Sequence, residues 1–226
     1  MSHNKDSEIL YYVREFHLIT EAQLQVLTGR QTLWRRLPVL AAQKRLYRTR
    51  RGRYTPYIYA TYNITKRREF DHDLLITDIH IALYKTGRLL EWNQPMLKKK
   101  DALNEDAYCV IAVSTADAVK ELHCYIEADT GSEPDWQIRE KTERYMSYYN
   151  KHKKPFRVLF IALDEKRVQE LVRVARRSVP KEASRMFLFA NIERFKTEPL
   201  GAVCSAYHQA NPTCLVPNTF ASQKKA

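Results

Sequence analysis

The sequence predicts an α+β protein in which an N-terminal winged helix-turn-helix precedes an α/β domain with a mixed central sheet. Within residues 1–64, three helical patterns are followed by two short strand patterns. Downstream, one helix and three strands precede an alternation of helix, strand, helix and strand, the order typical of a layered sheet. After residue 197 the periodicity is lost. We therefore expect domains at residues 1–64 and 65–197 and a loosely held tail at 198–226.

The composition excludes several classes of protein. A chain of 226 residues with 44% hydrophobic and 28% charged residues is typical of a globular protein. No stretch approaches the roughly 18 consecutive apolar residues of a membrane span, and the first residues lack a secretory signal pattern. The four cysteines are widely spaced without a CxxC pair, which argues against zinc and favours a reducing compartment. We expect a cytoplasmic protein that contacts no membrane.

The charge is unevenly distributed along the chain. The formal net charge is +12, and residues 1–70 hold fourteen Lys and Arg against five Asp and Glu. Most of the positive excess therefore lies in the first third of the sequence. Such a concentration is the electrostatic footprint expected of a surface that binds nucleic acid.

The first two helices follow from apolar spacing and from a cap. Residues 7–16 place apolar side chains at helical intervals. Thr20 is a favourable N-cap, and Gln23 three residues later completes the pattern of a capping box. These signals predict a second, short helix over residues 21–27 that ends at Thr28 and Gly29.

A third helix begins near Gln31 and ends shortly before the first strand. Its leucines, with Ala41, form an inward face. Pro38 within it should kink the helix or remove a hydrogen bond near Trp34. The outward face carries the residues expected to meet base edges or the flanking phosphates, which are Arg30, Gln31, Arg35 and Arg36.

A basic hairpin completes the N-terminal domain. Residues 46–62 read as two strands around an Arg- and Gly-rich loop at residues 50–53. Three helices followed by such a hairpin outline a winged helix-turn-helix, whose third helix enters the major groove of double-stranded DNA. The alternative is a winged helix that binds protein, with arginines that only increase solubility. Phosphate contacts, which position without specifying sequence, are expected from Arg48, Arg50, Arg51 and Arg53.

The second domain is organised around an acidic strand end. Residues 122–126 form an apolar strand that leads directly to Glu127 and Asp129, whose spacing of two places both on one face. Gly and Pro then break the strand, and Asp135 is the expected N-cap of a helix that carries Lys141. Acids beside a basic helix could bring a cation to a phosphodiester. The alternative is a solvated acidic turn that caps a helix. The inward face of this helix is expected to consist of Ile138, Thr142, Tyr145 and Tyr149.

The remaining elements pack around that strand. Residues 70–84 predict an apolar helix in which His72 and His80 serve capping and packing, since they lie eight positions apart and no third ligand is near. A strand over residues 106–113 begins with Asp106. Further strands are expected at residues 88–93, 156–163 and 186–190, with a helix at 166–178.

The chain resembles the replication-relaxation family of plasmids and other mobile elements. Members of that family join an N-terminal winged helix to a domain similar to the PD-(D/E)xK nucleases. The resemblance extends over about residues 7–189. Besides the winged-helix outline, it rests on the helix HDLLITDIHIAL, the acid-headed strand EDAYCVIAV, the segment YIEADTGSE and the helix segment REKTERYMSYY.

The resemblance implies a role in DNA replication or relaxation and a magnesium-dependent DNA-nicking site. The nuclease-like fold would place Asp106, Glu127 and Asp129 around one or two Mg²⁺ ions, which activate water and stabilise the leaving oxygen. DNA binding itself would need no cofactor. The sequence departs from the nuclease pattern at Glu105, where Pro is usual, and at Asp129, where Lys is usual. Lys141 on the following helix is the candidate for the missing ammonium group.

The sequence also leaves two alternatives open. The protein could be a transcriptional regulator or replication initiator on a degenerate nuclease-like scaffold, kept for homodimer formation or protein contacts. A covalent mechanism through Tyr145, Tyr148 or Tyr149 is not favoured, because the chain has fourteen tyrosines and two of these three fall on the predicted core face.

Overall fold

The computed structural model describes residues 3–50, 52–63, 70–95, 103–114 and 118–208, without the side chains of residues 3–5 and 204–208. Several predicted features lie outside the described residues. They are the hairpin residue Arg51, the link at 65–69, most of the lysine-rich stretch 96–104, and the tail beyond 208.

The N-terminal part packs three helices against a small antiparallel sheet. The predicted helices and hairpin are present, and the sheet has the order β1-β3-β2. Strand β1 was not predicted, because two residues are too short to show alternation. The elements are α1 (His3–Glu15), β1 (Ile19–Thr20), α2 (Glu21–Thr28), α3 (Leu33–Ala42), β2 (Tyr47–Thr49) and β3 (Ile58–Ala60).

Local signals fix both ends of α2. The Thr20 hydroxyl accepts from the Gln23 backbone N–H at 3.3 Å, and the Gln23 side-chain oxygen accepts from the Thr20 backbone N–H at 2.9 Å. This confirms the predicted capping box. Gly29 ends the helix with φ of 66°, a left-handed conformation that costs glycine little.

Helix α3 runs without interruption through Pro38. The predicted loss of a hydrogen bond near Trp34 follows from the proline itself, which lacks the N–H that would bond to the Trp34 carbonyl. Three leucines hold both halves of the helix to the core, and Ala41 is only half-buried. The buried leucines are Leu33, Leu37 and Leu40.

The second part is a mixed five-stranded sheet between helices, in the predicted order of elements. Its strand order is β4-β5-β6-β7-β8, antiparallel from β4 to β6 and parallel from β6 to β8. A mixed α+β fold is therefore confirmed. The elements are α4 (Phe70–Lys85), β4 (Leu89–Asn93), β5 (Ala107–Ser114), β6 (Val119–Asp129), α5 (Asp135–His152), β7 (Arg157–Ala162), α6 (Glu165–Ser178), a 3-10 helix (Lys181–Met186), β8 (Phe187–Asn191), α7 (Ile192–Thr197) and α8 (Pro199–His208).

Two details of this part differ from the prediction. Pro134 is the N-cap of α5, so Asp135 lies in the first turn, where its negative charge favours the helix dipole. Residues 199–208 form α8 where a loose tail was expected. Val203 of α8 is buried in the core, and Leu200 three residues earlier packs beside it. Two buried apolar positions are too few to show a helical period in the sequence.

Side-chain alternation along β6 divides the core into two layers. Ile126 and Ala128 pack in the cluster that includes α4 and α7, whereas Tyr125 contacts the cluster of α5 and α6. Glu127 follows the same alternation and lies on the α5 side. Cys109 and Cys124, which are free thiols, are register partners on β5 and β6 and are fully buried.

Helix α4 belongs to both parts of the molecule. Ile79 and Leu83 lie in the core of the large sheet, while Ile81 packs in the N-terminal core. The Gln23 amide donates to Asp78 at 2.7 Å, and the Thr77 hydroxyl donates to the Leu18 carbonyl at 3.3 Å. These contacts tie the N-terminal helices to the sheet.

His80 of the same helix is a packing residue, as predicted. Its ring lies 4.6 Å from Phe16 and 4.9 Å from Trp92, centroid to centroid. Burial lowers the pKa of His80 to about 4, so the imidazole is neutral at physiological pH. Across the described segments, no helix has both the length and the apolar character needed to cross a bilayer.

Candidate functional site

Asp106 is held at the start of β5 by the register of the sheet. Its backbone N–H donates to the Ile126 carbonyl at 3.1 Å, which places it beside Glu127. One side-chain oxygen, Oδ2, accepts from the Ala128 N–H at 2.9 Å and lies 3.1 Å from Nε2 of His72. The sequence interpretation of His72 as a capping or packing residue was therefore incomplete. This histidine is the ionic partner of Asp106.

The charges on this pair stabilise each other. Burial lowers the pKa of His72, but its contacts with Asp106 and Asp73 outweigh burial and raise that pKa to about 10. Burial raises the pKa of Asp106, but the hydrogen bond and charge of His72, with further help from Lys141, bring it below its ordinary value. Both groups are therefore charged at neutral pH.

Glu127 is enclosed at the end of β6, with 1% of its surface exposed. The Tyr145 hydroxyl donates to Oε1 at 2.6 Å, and Nζ of Lys141 lies 2.8 Å from Oε2. Among the described residues, Oε2 has no partner besides this ammonium group. Burial and the charge of Asp106 raise the pKa of Glu127 to about 7, and Lys141 and Tyr145 offset part of that rise.

Lys141 and Tyr145 lie one turn apart on α5, so both side chains reach the end of β6. Lys141 is only 9% exposed, and its ammonium group also donates to Oε1 of Glu133 at 2.7 Å. Burial lowers the pKa of Lys141, but Glu127, Asp106 and Glu133 together raise it above its ordinary value. Glu133 is a member of this cluster that the sequence pattern did not identify.

Asp129 has different partners. Its carboxylate accepts from Nε of Arg167 at 3.1 Å and from Nη2 at 2.8 Å, a bidentate ion pair with α6. The Gly131 N–H donates to the same carboxylate at 2.5 Å. Asp106, Glu127 and Lys141 therefore lie together, whereas Asp129 is paired with Arg167. No sequence signal pointed to Arg167, because its helix is contributed by a later segment.

The predicted metal ligands can be compared with the needs of magnesium. Among the described residues, no group of three or more His, Cys, Asp or Glu side chains is arranged to hold a metal ion. Mg²⁺ often takes only one or two protein carboxylates, with waters and substrate phosphate oxygens completing its shell. Asp106 and Glu127 offer such a smaller donor set, since Oε2 of Glu127 has no partner in the described chain besides the ammonium group of Lys141.

The tyrosines near the acids are packing and positioning residues. The Tyr145 hydroxyl is engaged with Glu127, and burial together with that carboxylate raises the pKa of Tyr145 well above its ordinary value. The Tyr148 and Tyr149 rings pack against Phe156. Tyr145 lies in the core as predicted, but its hydrogen bond to Glu127 was not foreseen.

Two of the four predicted DNA contacts on and before α3 are paired with acids of α1. Arg30 forms an ion pair with Glu8, and Arg36 forms one with Asp6. The other two, Gln31 and Arg35, are exposed. Arg35 lies over the exposed Trp34 ring at 4.8 Å from its centroid.

The hairpin presents arginines beside aromatic rings. The Arg50 guanidinium lies 3.6 Å from the centroid of Tyr57, and that of Arg48 lies 4.9 Å from the same ring. Arg53 lies 5.7 Å from the centroid of Tyr54, which is 91% exposed. These side chains form an outward surface on β2 and on the loop between β2 and β3.

Comparisons with known proteins address the fold and the family. A solved structure described as "Structure of restriction endonuclease FokI bound to DNA" is 9% identical, with a TM-score of 0.29 over 93% of this chain and 47% of that chain. The chain thus spans about half the length of that protein, and a likeness this weak supports no inference. Comparison with curated proteins finds no match.

The family comparison is informative. A family model described as replication-relaxation matches residues 41–160, more than half of the chain. The matched region contains the hairpin, α4, the strands β5 and β6, and the helix that carries Lys141. This chain belongs to the replication-relaxation family.

Proposed function

We propose that the protein binds double-stranded DNA through residues 1–64 and acts in the replication or relaxation of DNA of a plasmid, phage or other mobile element. In this proposal, the three helices and the hairpin act as a winged helix-turn-helix. Gln31 and Arg35 face base edges, because both are exposed on or next to α3. Membership of the replication-relaxation family supports the cellular role.

The hairpin surface is the observation that carries the proposal. Within the described chain, Arg48, Arg50 and Arg53 lie beside aromatic rings and form no carboxylate ion pair. Their charges are therefore available to phosphates, in contrast to Arg30 and Arg36, which are neutralised by α1. Guanidinium groups suit phosphate oxygens because their donors match the geometry of the anion.

The test is the salt dependence of binding. Replacing Arg50, Arg51 and Arg53 together by Ala should weaken binding to all duplex sequences. The slope of log K against log salt should also flatten by up to about 0.9 per lost phosphate contact. A matched control removes the same charge from α6 through the triple substitution Lys166→Ala, Arg176→Ala and Arg177→Ala. An equal change in slope for both triples would refute the hairpin assignment.

For the second part of the chain, we propose a magnesium-dependent DNA-nicking site. Asp106 and Glu127 would hold the ion, and bound Mg²⁺ would supply Lewis acidity toward water and the leaving oxygen. His72 holds Asp106 ionised, and Tyr145 fixes the orientation of Glu127. Lys141, which lies against Glu127, would pair with a phosphate oxygen.

A second candidate function is that of a non-catalytic regulator or initiator. The observation that favours it is that each predicted carboxylate already has a cation of the protein beside it. Asp106 has His72, Glu127 has Lys141 and Asp129 has Arg167. These pairs relieve the repulsion among the acids without a metal ion, so the arrangement is also compatible with a structural role.

A supercoiled-plasmid assay separates the two candidates. With Mg²⁺ or Mn²⁺ the wild type should convert supercoiled plasmid to open circles, and chelator should abolish the conversion. Glu127→Gln should be inactive, whereas Asp135→Asn, which changes a half-buried carboxylate paired with Arg173 on the outside of α5, should retain activity. Intact plasmid under all conditions, with full DNA binding in chelator, would support the regulator and rule out the nickase.

A further inference from the structure

A second concave site lies on the same side of the sheet as Glu127. It is a cavity of about 620 Å³ between β5, β6 and the end of α5, within the size range of small-molecule sites. Aromatic rings provide much of its lining, and the Tyr108 hydroxyl lies 2.6 Å from Nδ1 of His123. The rings are those of Tyr108, His123, Tyr125, Tyr148 and Phe156.

The rim of this cavity is cationic. Lys120, Lys154 and Arg157 contribute positive charges, against a single negative charge from Glu121. Lys120 and Lys154 are exposed, so their ammonium groups can reach an anion at the mouth. Aromatic faces within a positively charged groove are the combination that binds unpaired nucleic acid, since bases stack on the rings while cations follow the phosphates.

The cavity is connected to the acidic site by packed rings. Tyr125 precedes Glu127 by two residues on β6, which is a separation of about 7 Å on the same face. Its ring centroid lies 5.6 Å from that of Tyr145, whose hydroxyl donates to Glu127. The cavity and the acidic site therefore lie on the same side of the sheet and are separated by the packed rings of Tyr125 and Tyr145.

We propose that this cavity binds a nucleotide of single-stranded DNA, with its base against the aromatic lining that includes the Tyr148 ring and its phosphate paired with Lys154. The inference rests on the proposed function, because it supplies the unpaired strand adjacent to the acidic site. It is distinct from the hairpin surface, which serves double-stranded DNA. The proposed ligand is a DNA strand, and the experiment distinguishes it from a free nucleotide of the same chemistry.

The experiment uses the full chain in chelator, so that no cleavage occurs, and measures fluorescence anisotropy of a labelled 15-nucleotide oligothymidine. Tyr148→Leu removes the aromatic face and should weaken binding about tenfold, the range of one base-stacking contact. Tyr148→Phe keeps the ring and should bind as the wild type does. Lys154→Ala should flatten the salt slope by about 0.7, the value for one single-strand phosphate, whereas Lys166→Ala should not.

Three results would contradict the proposal. Wild type that fails to bind the oligonucleotide, or Tyr148→Leu that binds it as tightly as Tyr148→Phe, excludes the cavity as a strand site. Thymidine monophosphate that competes as well as the oligonucleotide, per mole, replaces the strand by a free nucleotide. Duplex binding by the same preparations is measured in parallel. It depends on the hairpin arginines, so the two proposals can fail separately.

Discussion

At the scale of the residue, Glu127 couples the stability of the fold to pH. Its pKa is about 7 in the folded protein against an ordinary 4.5, so the folded state retains a proton that the unfolded state releases. The resulting stabilisation is fully present below pH 4.5 and is lost as the pH rises through about 7. The free energy of unfolding of the wild type should therefore fall by about 3 kcal/mol between pH 5 and 8. In Glu127→Gln this fall should be absent, as measured by urea denaturation.

The control variant for this measurement is Asp135→Asn, and His72→Gln is a second test. Asp135→Asn should give a pH profile parallel to that of the wild type. His72 has a pKa raised to about 10, so its stabilisation is complete below its ordinary pKa of 6.5 and is lost as the pH rises through 10. Its replacement should therefore flatten the alkaline part of the profile. A Glu127→Gln profile with the wild-type slope between pH 5 and 7 would contradict the proposed ionisation.

The residues of the acidic site differ in how far sequence predicts them. Glu127 and Lys141 were predicted because a strand end and the next helix are adjacent in the chain, so local spacing determines which side chains lie there. The ionic partners His72 and Arg167 come from α4 and α6. Such pairings depend on which helices cross which strand ends, and no local periodicity encodes that geometry.

At the scale of the element, α2 depends on two polar side chains. Thr20→Ala removes the cap and should lower the free energy of unfolding by about 1 kcal/mol. Gln23→Ala should cost more, because the amide also donates to Asp78 at 2.7 Å and to the Leu74 carbonyl at 3.2 Å. Midpoints of urea unfolding test this order. Thr20→Ser retains the hydroxyl and serves as the control, and a cost equal to that of Thr20→Ala would argue against the cap.

Elements with strong local signals were predicted, and the weak ones were missed. The capping box of α2 and the apolar alternation of β5 are properties of contiguous residues. Strand β1 exists only because Ile19 and Thr20 pair with Tyr59 and Ile58 of β3. Its partner lies almost forty residues away, and a segment of two residues has no period. The helix α8 similarly depends on the packing of Val203 in the core.

At the scale of the whole molecule, α4 makes the two parts of the chain energetically dependent on each other. Ile81 fills the N-terminal core, and Ile79 on the same helix fills the core of the sheet. We expect one cooperative unfolding transition, with coincident curves from circular dichroism and tryptophan fluorescence. Ile81→Ala should lower the free energy of unfolding by about 2–4 kcal/mol while the curves stay coincident. Two separated transitions in the wild type would contradict this dependence.

The facing thiols of Cys109 and Cys124 provide an internal probe of the sheet. A thiol reagent can reach neither sulfur until the central strands separate or the helices above them detach. With Cys204 and Cys214 replaced by serine, the labelling rate would report how often this layer opens. Asp106 and Glu127 lie at one end of the same two strands, so a ligand held there should slow the labelling. Occupancy of the acidic site can thus be followed chemically, without a substrate and without turnover.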